Sequence, residues 1–170
     1  MNIIYFGGDK MSKKTKTYVI SILTALAVGG LSALLTKGNM NIYSDIITPP
    51  LTPPSMLFPI VWSVLYILMG ISAAMIFLFN KKEYKNKIND ALYVYAAQLL
   101  FNFFWSIWFF NVRAFLFSFI WLMAMWVLII IMIVKFSKIN KCAAYLQIPY
   151  LIWTTFAAYL NLAIYILNRS

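Results

Sequence analysis

Long stretches without a charged side chain alternate with short basic patches along this chain, and that alternation predicts its elements. Five stretches lack Lys, Arg, Asp and Glu: 17–36, 46–80, 91–112, 114–134 and 142–168. A helix needs about 20 mostly apolar residues to cross roughly 30 Å of hydrocarbon. In lipid each such run must satisfy its own backbone hydrogen bonds, which makes it a helix. Short alternating segments, the mark of a membrane barrel, are not seen. The second stretch is too long for one crossing, but Pro49, Pro50, Pro53 and Pro54 crowd its start. The sequence therefore predicts spans at about 18–36, 56–79, 91–112, 114–134 and 142–168. The expected fold class is an all-α integral membrane protein, a five-helix bundle forming one domain over 1–170. Residues 1–10 read as an extension ahead of a natural start at Met11.

Composition agrees. The 170 residues are 64% hydrophobic and 11% charged, with mean hydropathy +0.83. A net charge of +10 would suit nucleic acid, but the cations sit between spans. Eleven of the 14 Lys and Arg fall in the N-terminal tail and in the loops after the second and fourth spans. Lys37, Arg113 and Arg169 belong to the other side. This asymmetry predicts the N-terminus inside and the C-terminus outside, with membrane lipid and no nucleic acid as partner.

Candidate chemistry is narrow. The chain has no His and one cysteine, Cys142, so metal ligation and an internal disulfide are not expected. Its acids, Asp9, Asp45, Glu83 and Asp90, all lie outside mid-span, where a proton-coupled transporter normally keeps one. No catalytic residues and no cofactor are assigned.

Side chains three, four and seven residues apart share a helix face. That spacing groups Trp62, Tyr66, Met69 and Ala73; Gln98, Asn102, Trp105 and Phe109; and Tyr150, Trp153, Ala157 and Asn161. Mid-span amides need partners, so Gln98 and Asn102 are expected to face the interior. Amides bridging helices and rings forming interfacial belts are the simpler reading of any one residue. Together the three stripes predict an aromatic cavity for a large, flat, mostly apolar ligand. Ser55 reads as the N-cap of the second span, with Pro59 in its first turn. Pro149 is expected to bend the fifth span a third of the way along. Gly29 and Gly30 read as points of close helix approach.

Three stretches carry a resemblance. One runs from Pro53 and Pro54 to Phe58, Trp62, Leu65, Tyr66, Met69 and Gly70. The second holds Gln98, Asn102, Trp105, Phe109 and Phe110, with Arg113 beyond. The third holds Pro149, Tyr150, Trp153, Phe156, Ala157, Leu160 and Asn161. In order and spacing they resemble the tryptophan-rich sensory protein/translocator protein family, also called TspO/MBR or the peripheral-type benzodiazepine receptor family. The resemblance implies a five-helix bundle that commonly forms a homodimer. It implies a membrane receptor or sensor that binds porphyrin and other tetrapyrroles or flat drug-like molecules, and handles or transports them. Alternatives attached to it are light-dependent porphyrin degradation and sterol or lipid transport. By motif it implies Trp62, Gln98, Asn102, Trp153 and Ala157 as pocket lining, Tyr43 and Pro53 at a lid, and Tyr66 and Tyr150 nearby. The Ile-, Asn- and Lys-rich bias favours a bacterial cytoplasmic membrane, with a mitochondrial outer membrane as the alternative.

Overall fold

The computed structural model describes residues 11–39 and 42–169, apart from the side chains of Tyr43 and Ser44. The expected extension 1–10 lies outside the described residues. Five helices are long and apolar enough to cross a membrane. The chain is an integral, multi-pass membrane protein. Helix α1 (Lys13–Thr36) is followed by a single turn and a short helix α2 (Ile42–Asp45). Then come α3 (Leu57–Phe77), α4 (Lys85–Ser106), α5 (Phe115–Ser137), the short α6 (Lys141–Tyr145) and α7 (Ile148–Leu167). Ser12 caps α1 by accepting the Thr15 N–H, and Asn140 caps α6 through Ala143.

Several local expectations need correction. Ser55 is not a cap: α3 begins at Leu57, whose N–H is taken by the Pro54 carbonyl at 2.9 Å. Pro149 does not kink a long helix. The fifth span is already broken at Leu146 and Gln147, and Pro149 sits in the first turn of α7. There its missing N–H leaves no bond unmade. The third span starts at Lys85, a charged turn earlier than the apolar run, and ends in a wider π-type turn, Ile107–Asn111.

Around the bundle α3 packs on α1, α1 on α4, α4 on α5 and α5 on α7. Small residues set the first contact. A Cβ on Gly70 would lie 2.5 Å from the Ile22 Cα, and one on Gly29 would lie 2.1 Å from the Tyr66 ring. Both glycines therefore admit α3 at a distance alanine would forbid. Gly30 meets nothing within 4 Å and is not part of the contact. Ser72 ties α3 to α6 by donating to the Ala143 carbonyl at 2.7 Å. Among the described residues the backbones of α3 and α7 are in sparse contact at most. Aromatic side chains stand between them, Phe58 edge-on to Trp153 at 5.9 Å and Trp62 to Tyr150 at 6.1 Å.

The segment from Ile42 to Met56 straps across one end of the bundle. Asp45 pairs with Arg113 at 3.0 Å. Asn168 accepts the Ile47 N–H and donates to its carbonyl, each at 2.9 Å. The Tyr159 hydroxyl donates to the Pro50 carbonyl at 3.3 Å.

Candidate functional site

Between the strap-side halves of α1, α3, α4 and α7 lies a cavity of about 360 Å³. From α3 it takes Phe58, Pro59, Trp62 and Tyr66, spaced to share a face. Asn102, Trp105, Ser106 and Phe110 come from α4 and the turn after it. Trp153 and Ala157 come from α7, one turn apart. Helix α1 contributes Gly29, Ser32, Ala33 and Thr36, which leave room, and Ser55 lies at the strap.

Its floor is a buried chain of hydrogen bonds. The Tyr66 hydroxyl donates to Asn102 Oδ1. Asn102 Nδ2 donates to the Tyr150 oxygen at 3.2 Å, and Tyr150 donates to Gln98 Oε1 at 2.9 Å. Gln98 ends the chain against the Met69 sulfur at 3.9 Å. Gln98, Tyr150 and Asn102 are 0%, 1% and 2% exposed. Each amide or hydroxyl left unpaired there would cost about 1–3 kcal/mol, so the chain fixes three helices in one register. One wall is fixed similarly. Asn161 Oδ1 accepts from Trp105 Nε1 at 3.2 Å and from Ser118 at 3.1 Å, while its amide donates to the Phe115 carbonyl at 2.8 Å. The Trp105 ring also stacks on Phe109, 5.3 Å between centroids.

All three sequence stripes thus turn inward, and the structure brings Trp62, Tyr66, Asn102, Trp153 and Ala157 to one cavity. Gln98 and Tyr150 do not line it; they lie beneath, in the floor. Pro53 is half-buried in the strap and is not among the lining residues. The side chain of Tyr43 lies outside the described residues. Sequence reasoning missed Phe58, Phe110 and the small residues of α1. Phe58 was visible in the first motif, and Trp105 in its stripe. The α1 residues are small and carry no aromatic or amide group.

The cavity is lined by indole and phenyl side chains, with a carboxamide and a phenol at the base. Among the described residues no group of three His, Cys, Asp or Glu could hold a metal ion. Such a space can enclose flat apolar matter and orient it with one or two hydrogen bonds.

The sequence profile of the TspO/MBR family matches residues 21–167. The chain belongs to that family. This TspO/MBR chain is 35% identical to the tryptophan-rich protein TspO of Chlorobaculum tepidum, over 93% of its own length and 99% of the relative's. It is 34% identical to the protein of the same name from Archaeoglobus fulgidus, over 88% and 95%. The translocator protein of Ovis aries is 31% identical over 70% of each chain. As a family member this chain stands among membrane sensor and translocator proteins.

Proposed function

We propose that this chain is a membrane receptor that binds porphyrins and related flat, mostly apolar molecules between α1, α3, α4 and α7. The observation that carries the reading is the convergence of Trp62, Trp105 and Trp153 on one cavity above the paired Asn102 and Tyr66. Two indole faces offer stacking surface, and the Asn102–Tyr66 pair offers a polar contact at the base. The volume, about 360 Å³, is near the lower end of the roughly 300–1,000 Å³ of small-molecule sites. A ligand of two or three fused rings fits whole; a tetrapyrrole inserts one flank, with its polar substituents left at the strap. The concentration of Lys at the opposite end of the bundle supports a cytoplasmic-membrane protein with the strap outside.

The test is a titration of reconstituted protein with protoporphyrin, read by tryptophan fluorescence. Saturating quenching is the expected result. Quenching that stays linear up to the solubility limit would sink the reading.

A further inference from the structure

The pocket has two boundaries through which a ligand could pass, and they are built differently. The strap is pinned to the bundle between Asp45 and Pro50: Asp45 to Arg113, Ile47 to Asn168 by two bonds, and Pro50 to Tyr159. Among the described residues no hydrogen bond or ion pair runs directly between α3 and α7. Every other neighbouring pair in the ring is packed helix on helix, whereas α3 and α7 are bridged by rings. Phe58 meets Trp153, and Trp153 meets Phe156 at 5.8 Å. Phe58 and Trp153 line the cavity and are each only partly buried. Beside them Ile60 and Ile152 face outward, 59% and 65% exposed, where lipid chains lie. Rotating an aromatic side chain about its own torsions opens such a wall without breaking a hydrogen bond. Lifting the strap breaks several bonds together.

We propose that the site exchanges its ligand sideways with the bilayer, through the α3–α7 seam, and that the strap is a fixed cap. The inference rests on the pocket reading above. It assigns Phe58 and Trp153 a second role as the leaves of a gate, and it selects ligands that dissolve in the membrane over those that arrive through water.

The full chain in lipid nanodiscs, mixed with protoporphyrin in a stopped-flow fluorimeter, separates the two routes. Phe58→Ala keeps all six tryptophans and removes one leaf of the gate. It is expected to raise both association and dissociation rate constants at least fivefold. The double variant Asp45→Asn, Asn168→Ala loosens the strap away from the cavity, and its rates are expected within twofold of the parent. If Phe58→Ala does not fold, Phe156→Leu, which touches Trp153 from outside the cavity lining, is expected to raise both rates at least twofold. Saturable binding with rates that rise on loosening the strap, but not on opening the seam, overturns the lateral route and leaves the pocket standing. Failure of the parent chain to bind saturably overturns both.

Discussion

Replacing Gly29 by alanine adds one methyl group at the tightest point of the bundle. The new carbon would lie 2.1, 2.5 and 2.7 Å from three atoms of the Tyr66 ring. An ordinary contact needs about 3.5 Å or more, so the ring must move by more than an ångström. Tyr66 is 7% exposed and its hydroxyl is bonded to Asn102, so it cannot move without releasing the floor. Overpacking costs about 1–3 kcal/mol, and the unpaired buried groups about 1–3 kcal/mol more. The gain in helix propensity, up to ~1 kcal/mol in water, offsets part of this. The expected net loss is about 1–6 kcal/mol, measured by reversible unfolding in mixed micelles with increasing SDS. Gly30→Ala is the control, because a Cβ there meets nothing within 4 Å; no loss is expected. Equal stability of Gly29→Ala and the parent, or equal losses at both positions, would refute the reasoning.

Other outcomes follow from the same contacts. Tyr150→Phe removes the hydroxyl that joins Asn102 to Gln98; a loss of about 1–3 kcal/mol is expected in the same unfolding assay, and none if the floor bonds are dispensable. Asn161→Ala strips Trp105 Nε1 of its acceptor and is expected to weaken porphyrin binding at least threefold while broadening near-ultraviolet tryptophan bands; unchanged spectra would show the wall is held otherwise. Trp153→Phe is expected to weaken binding several-fold by fluorescence titration, and unchanged affinity would remove Trp153 from the site. Arg113→Gln breaks a pair whose side chains are about half exposed, so a stability change under about 1 kcal/mol is expected, against a larger one if the pair holds the fold.

The spans were legible because the hydrocarbon thickness sets a length that sequence shows directly. The inward faces were legible because Trp62, Asn102 and Trp153 repeat with their neighbours at helical spacing. What escaped has specific causes. Gln98 carries the same polar mark as Asn102, but a turn deeper it meets Tyr150 instead of open space. Pro149 signals a break in any helix, and only the placement of α6 shows the break falling ahead of it. Asn168 holds Ile47 across 121 positions, a pairing that no local pattern announces. Gly29, Ser32 and Ala33 shape the cavity by being small, which looks the same in sequence as close helix packing.

A crystal structure of the chain grown with protoporphyrin tests the central claim most directly. The account predicts ring density between Trp62 and Trp153, above the Asn102 amide, with one edge emerging beside Phe58. Density confined to the lipid-facing surface, with the interior cavity unchanged, would contradict it.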